Sequence, residues 1–354
     1  MALVSLRQIL DHAAENDYGM PAFNITNMET MLGVMAAADR TDSPVILQAT
    51  RSARKYAGDV VLRNLVKSAV ELYPHLPVCM HQDHGNNLAT CQSAIDLGFS
   101  SVMMDGSLEE DGTTPADYAY NVRVTRSVVD ASHAVGVSVE GEIGCLGSLE
   151  TGRGDQEDGH GFEGELDKEM LVTSPDEAAE FVADTNIDAL AIAIGTSHGA
   201  YKFTRKPTGD ILKMDVLKAI HERLPLTHLV MHGASTVPQE LQDLINEYGG
   251  EIPQTYGVPL SEVEIGIRNG VRKVNIDTDI RMALTGTLRK YFAENPSSFD
   301  VRGYMKPAIE AIASLCTERF ERFGCAGNGS KIAPITLSGM AARYADGALD
   351  QRVN

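Results

Sequence analysis

Short apolar runs rich in β-branched residues alternate along the chain with segments whose apolar positions recur at helical spacing. The runs fall at 19–25, 43–49, 76–82, 101–106, 136–144, 189–195, 228–233 and 271–277, and each has the length of a strand. Between them, Met28, Met31, Leu32, Met35 and Ala36 share one helical face, and Leu241, Leu244 and Ile245 share another. Ser174 before Pro175-Asp176-Glu177, and Ser235-Thr236 before Pro238-Gln239-Glu240, read as helix starts. Eight strands alternating with helices predict a parallel (β/α)8 TIM barrel, with residues 1–354 as a single domain. A doubly wound open sheet is the main alternative. Polar and charged residues gather just past the strand C-termini, which favours the barrel. No GxGxxG turn follows the first run, which weakens the dinucleotide-binding sheet.

Two segments break the repeat. Residues 145–174 form a long Gly-rich loop after the fifth strand, where loops of such length are usually functional, and a mobile lid is expected. Residues 324–354 follow a helix near 304–323 and read as an extended, irregular C-terminal arm that packs on a neighbouring subunit. The first seventeen residues read as a short amphipathic helix without the features of a secretory leader.

Composition narrows the partners. Thirty basic against forty-nine acidic side chains give a formal charge of −19. Without a Lys/Arg cluster, that balance argues against nucleic acid and against anionic membrane surfaces. No apolar run approaches the roughly 18 residues of a membrane span. The five cysteines, Cys79, Cys91, Cys145, Cys316 and Cys325, form no CxxC pair, which fits a reducing, cytoplasmic location.

Chemistry collects at the strand ends. His81-Gln82-Asp83-His84-Gly85 closes the third run, Asp105 the fourth, and Glu140 and Glu142 lie in the fifth. Ser197-His198-Gly199 follows the sixth, His232-Gly233 closes the seventh, and Asn275-Ile276-Asp277-Thr278-Asp279 closes the eighth. A lone His at a strand end is ordinarily a hydrogen-bonded structural residue. Three of them, each followed by glycine and converging on one barrel face, suit a divalent cation with an open position, zinc foremost. His12, His75, His133, His160, His221 and His228 take the structural reading. Adjacent strand residues face opposite ways, so Asp83 and His84 serve one site only if the strand ends there, as Gly85 permits. Asp279 reads as a cap for the following helix. The late loops, with Gly199, Gly233, Ser235, Asp277 and Thr278, are where barrels commonly seat phosphate on backbone N–H groups.

Together these motifs resemble the metal-dependent class II fructose-bisphosphate aldolases: MHQDHG, SVMMDGS, VEGEIG, SHGAYK, VMHGAS and VNIDTDIR stand in that family's order. HQDHG, the length and the Gly-rich tail resemble the branch associated with carbon fixation. The resemblance implies a lyase that reversibly cleaves fructose 1,6-bisphosphate to dihydroxyacetone phosphate and glyceraldehyde 3-phosphate through a zinc-stabilised enediolate. It implies a place in glycolysis, gluconeogenesis and the Calvin cycle. It implies Zn2+ on His84, His198 and His232, with Asp105 and Glu142 able to hold a second divalent or a monovalent cation. Asp83 matches the acid/base at the C4 hydroxyl, Glu150 the lid residue moving the C3 proton of dihydroxyacetone phosphate, and Asn275 a contact to the enediolate. Gly199, Gly233, Ser235, Asp277 and Thr278 match the C1-phosphate site. Arg281 matches an arginine that reaches the other phosphate from a partner subunit, so a homodimer or larger homo-oligomer is implied. Two departures stand out: Leu149 precedes Glu150 where some relatives have a second glutamate, and Thr50 stands where a serine is common.

Rivals are readily stated. Lys273 shares strand parity with Asn275 and Asp277, which raises a Schiff-base mechanism, against the plainer reading of a lysine paired with inward carboxylates. A zinc hydrolase would need the HxH pair that is absent here. A non-catalytic partner subunit predicts lost ligands, and none is lost. Tagatose 1,6-bisphosphate and sedoheptulose 1,7-bisphosphate stay open as substrates. Residues 142–169 carry nine acids and two bases, so part of the negative charge sits in the metal-site strand and lid. The substrate's anionic ends would meet the cation, backbone N–H groups, Arg281 and Lys202.

Overall fold

The eight apolar runs form the strands of a closed parallel barrel in the computed structural model, which describes residues 3–150, 152–154, 164–165, 171–207, 212–351 and 353. We number the barrel strands β1 (Met20–Asn24), β2 (Val45–Thr50), β3 (Val78–Gly85), β4 (Ser101–Met104), β5 (Ser138–Ile143), β6 (Ala189–Ile192), β7 (His228–Met231) and β8 (Val271–Ile276). Neighbours in the chain are neighbours in the sheet, and β1 closes the ring on β8 with Met20 opposite Lys273. Every residue of these strands is buried, as a sheet enclosed by helices outside and by its own side chains inside requires. β4, β6 and β7 stop earlier than their apolar runs, because Asp105, Ala193 and His232 leave the ladder for the loops of the upper face.

β3 departs from the expectation in an informative way. It does not end before Gly85; its pairing with β4 shifts register between Gln82 and Gly85, and His84 adopts a left-handed backbone at φ +50°. Such a bulge turns two consecutive side chains toward the same side. Asp83 and His84 both reach the barrel mouth for this reason.

The helix starts were half right. Ser174 caps the helix Pro175–Thr185 by accepting from the Glu177 N–H, with Pro175 in its first turn. Gln239–Glu247 begins at Pro238 without a side-chain cap, so Ser235 and Thr236 are free for other work. Asp279 caps nothing: it is fully buried inside the first turn of the helix Thr278–Glu294. Half of the lid expected at 145–174 lies outside the described residues; within them, Arg153–Gly154 pairs antiparallel with Gly164–Glu165.

The described part of the C-terminal arm packs beneath its own barrel and contains a helix, Leu337–Ala345. Its anchor is Asp188, 1% exposed, at the foot of β6. This carboxylate accepts from Tyr344 Oη at 2.8 Å, Val139 N at 2.8 Å and Arg7 Nη1 at 3.3 Å, and pairs with His133 Nε2 at 2.9 Å. Tyr344 stacks on the His133 ring at 3.7 Å. Arg7 belongs to the amphipathic helix Leu6–Glu15, which lies across the same end and packs on strands from both halves of the ring.

Burial pushes the Asp188 carboxyl up, but His133, Arg7 and the Val139 N–H outweigh it and hold it at about 2. A depressed carboxyl stabilises the fold above its unfolded value of about 3.9 and loses that contribution as pH falls through its folded value. Asp188→Asn is therefore expected to cost about 3 kcal/mol at neutral pH. In urea denaturation, the gap between wild type and variant should close as pH falls from about 4 to about 2. A gap that does not change with pH would show that the carboxylate's charge is not what holds the arm.

Candidate active site

The bulge in β3, the loops after β6 and β7 and the upper half of β8 bring nine of the predicted residues to one cavity. Thr50, Asp83, His84, His198, Lys202, Gly233, Ser235, Asn275 and Asp277 line it. Two further lining residues, Asn24 and Gln48, were not anticipated. Each is a polar residue near the end of a mainly apolar strand, and that placement was the signal available.

The three histidines converge. One ring nitrogen from each of His84, His198 and His232 falls within 4.8 Å of the others. His84 meets the other two rings edge-on, with centroids 4.8 Å from His198 and 4.7 Å from His232. Different carboxylates orient two of the rings. His84 Nδ1 lies 3.0 Å from Asp105 Oδ2, leaving Nε2 to face inward. His232 does the reverse: Nε2 lies 2.8 Å from Glu140 Oε1, and Nδ1 faces His84 Nε2 at 3.0 Å. A carboxylate behind an imidazole fixes its tautomer and raises the basicity of the free nitrogen. Glu140 was visible in the sequence as a strand residue, but its orienting role was not.

A second group, His84, Asp105 and Glu142, also brings three donor atoms within 4.8 Å of one another. Glu142 Oε2 has no hydrogen-bond partner among the described residues. Burial, with Asp105, Glu140 and Asp83 nearby, pushes the Glu142 carboxyl well above the usual carboxylate range. Buried carboxylates beside convergent imidazoles make a donor set short of positive charge, and a divalent cation fits it.

Below the histidines runs a buried polar layer. Lys273 is fully buried, with Nζ 2.9 Å from Glu140 Oε2 and 2.7 Å from Asn275 Oδ1. The ammonium is thus committed to a carboxylate, as the plainer reading of this lysine holds. Burial opposes ionisation of Glu140, yet Lys273 and the His232 hydrogen bond hold its carboxyl far below the ordinary range. His81, fully buried and bonded to Ser101 at 2.9 Å, is held neutral by burial and Lys273, its pKa lowered to about 3.

Asn275 then passes the chain upward, donating from Nδ2 to Asp83 Oδ1 at 3.3 Å. Burial raises the Asp83 carboxyl, but the neighbouring His84, Lys273 and His232 charges bring it below its ordinary value. Gln48 donates to Asn24 and sits 3.5 Å from Asp83 Oδ2, and Asn24 donates to Asp277 Oδ2 at 3.0 Å. Asp83 and Asp277 therefore stand at the ends of one hydrogen-bonded relay.

Around the rim, Thr50 Oγ1 accepts from Ala53 N at 3.1 Å and caps a short helix. Lys202, 1% exposed, donates to the Ser197 carbonyl. Gly233 has φ +60°, and a Cβ there would lie 2.3 Å from the Ser197 carbonyl oxygen, so only glycine lets the two loops meet. Gly199 is also left-handed, at φ +76°. The Asp277 N–H approaches Ser235 Oγ at 3.4 Å, and Thr278 opens the next helix. Arg281, half exposed, binds its own Asp277 through Nε at 2.8 Å. Glu150 does not line the cavity: Thr204 donates to it from N at 3.1 Å and from Oγ1 at 2.7 Å, and Arg205 lies 3.5 Å away.

Comparison with known proteins agrees with this geometry. Residues 4–328 match the family described as fructose-bisphosphate aldolase class-II. The chain is 63% identical to the fructose-bisphosphate aldolase of Stutzerimonas stutzeri over the whole of both chains. It is 62% identical to the fructose-bisphosphate aldolase class 2 of Synechocystis sp., covering 99% of this chain and 97% of that one. Among solved structures, the YdjI aldolase of Escherichia coli K12 superposes with a TM-score of 0.69 at 24% identity, over 92% of this chain and 99% of that one. At that identity the superposition speaks for the barrel alone. By the matched residues and the full-length relatives, the chain belongs to the class II fructose-bisphosphate aldolase family.

Proposed function

We propose that the reversible cleavage of fructose 1,6-bisphosphate by this lyase takes place in the His84–His198–His232 cavity, with Zn2+ as the resident cation. The observation that carries the reading is the convergence of three imidazoles, two of them oriented by carboxylates, beside Asp83 and Asn275. His84, His198 and His232 would hold the cation, and Asp105 and Glu142 could take a second or displaced one. The chemistry a bound cation supplies is polarisation of the substrate ketone and stabilisation of the charge that develops as C3–C4 breaks.

The chain's own residues do the rest. Asp83, ionised at neutral pH, takes the C4 hydroxyl proton during cleavage and returns it in condensation. Asn275 holds Asp83 in place and offers its amide to the developing enediolate. Glu150 moves the C3 proton of dihydroxyacetone phosphate, which requires the lid to carry it from Thr204 into the cavity. The C1 phosphate sits on Gly199, Lys202, Gly233, Ser235, Asp277 and Thr278, and the other phosphate on Thr50 and Arg281. Two gripped ends fix the reacting carbons over the cation.

Residues 1–354 work as one cytoplasmic domain on this reading, in sugar breakdown and synthesis and in carbon fixation. The five cysteines are unpaired and buried, and no described helix is long and apolar enough to cross a membrane. EDTA is expected to abolish cleavage and Zn2+ to restore it, while borohydride with substrate leaves activity intact. Activity that survives EDTA but not borohydride would replace this mechanism with a Schiff base on Lys273.

Arg281 is proposed to serve a partner's site in a homodimer or larger assembly. Arg281→Ala should raise KM roughly ten-fold, the usual size of one lost charge-assisted contact, with kcat and Tm little changed. In mixed oligomers of co-expressed Arg281→Ala and His198→Ala chains, the sites that keep His198 should recover the wild-type KM. A KM that stays raised would place Arg281 in its own subunit's site.

A further inference from the structure

Behind the cavity, on the side away from substrate, a single buried carboxylate joins the two loops that follow β7 and β8. Asp279 is fully buried. Its Oδ2 accepts from Thr236 N at 3.1 Å and Thr236 Oγ1 at 3.0 Å, and its Oδ1 accepts from Val237 N at 2.9 Å. Arg319, 2% exposed on the long helix Val301–Arg322, completes the set: Nη2 lies 3.2 Å from Asp279 Oδ2 and 2.9 Å from Thr236 Oγ1.

The loop so held is strained. Val237 has φ +47°, a left-handed backbone that a β-branched residue strongly resists. It is 1% exposed and followed by Pro238, so the conformation is fixed from both sides. The same loop carries Gly233 and Ser235 into the cavity, and Ser235 Oγ meets the Asp277 N–H of the β8 loop. Neither Asp279 nor Arg319 lines that cavity. A strained conformation buried beside a binding loop persists only where its surroundings over-determine it, and here the surroundings are this ion pair.

We propose that Asp279 and Arg319 are positioning residues for phosphate binding: the pair forces the Thr236–Val237 turn and thereby presets the Gly233–Ser235 N–H groups for the anion. The inference rests on the reading of those loops as the C1-phosphate site. Preset N–H groups lose no freedom when the anion arrives, so the pair acts on affinity more than on turnover.

The test uses the whole metal-loaded enzyme, with inorganic phosphate as a competitive inhibitor. Asp279→Asn keeps the size but puts an NH2 against a backbone N–H. Arg319→Lys keeps the charge and loses the fork, and serves if the first variant fails to fold. Each is expected to raise both KM for the bisphosphate and Ki for phosphate about ten-fold or more, as lost charge-assisted hydrogen bonds do, with kcat within about three-fold of wild type. Adding Val237→Gly to Asp279→Asn should recover part of the loss, because glycine takes the left-handed turn without being forced. A variant that lowers Tm but leaves KM and Ki within about two-fold of wild type overturns the proposal, since ten-fold corresponds to one such contact. Strictly additive effects in the double variant overturn it as well. If wild type itself shows no inhibition by phosphate, the loops are not the phosphate site and the earlier reading fails first.

Discussion

His198→Ala is expected to lose the bound cation and to lower kcat/KM by on the order of 10³ or more, the rate equivalent of several kcal/mol of charge stabilisation. The fold should survive. His198 lies in a loop beyond β6, outside the barrel's strands, and its ring packs against those of His84 and His232. Metal content per chain, thermal unfolding and cleavage of the bisphosphate, measured on the same preparation, separate the outcomes. A folded variant that keeps one tightly held cation per chain and cleaves normally would remove His198 from the ligand set. It would leave the His84–Asp105–Glu142 group as the cation site.

The second large effect separates two proton transfers. Asp83→Asn should slow cleavage by about 10²–10⁴, the usual worth of a positioned acid/base. Exchange of the C3 proton of dihydroxyacetone phosphate with solvent should continue near the wild-type rate, because that step is assigned to Glu150. The side chains differ little in shape, and of the two amide donors at this position, from Asn275 and Gln48, one keeps an oxygen to meet while the other faces the new NH2. If cleavage and exchange fall together, Asp83 positions the substrate or the cation rather than carrying the C4 proton.

The barrel was legible because eight apolar runs are each buried on both faces, which leaves a periodicity that single residues cannot blur. The ends of those runs were less so. The bulge that points Asp83 and His84 the same way places a left-handed backbone on a histidine, whose local preference runs the other way, while attention falls on Gly85 one residue later. Most of the site was readable as polar residues past strand ends. Asn24, Gln48 and Glu140 were not, because their roles depend on which strands become neighbours: β1 joins β8 across roughly the whole sequence, and only then does Asn24 meet Asp277. Asp279 misled for the same reason. In sequence it stands at a helix start, where capping is the usual role, and its true partner Arg319 is forty residues on. The arm hid its helix because Gly, Ala and Ser dilute the apolar stripe, and its anchoring comes from residues distant in sequence, Asp188, Arg7 and Gln8 among them.

That carboxylate, Asp188, also ties together segments far apart in the chain. Arg7 stands 181 residues before it and Tyr344 156 residues after it, and the Leu349 carbonyl binds the same Arg7. The ring itself is closed where β1 pairs with β8, well before the arm in the chain. The cation beside this carboxylate, Arg7, comes from the first helix, so the arm adds a neutral hydroxyl to an acid that is already paired.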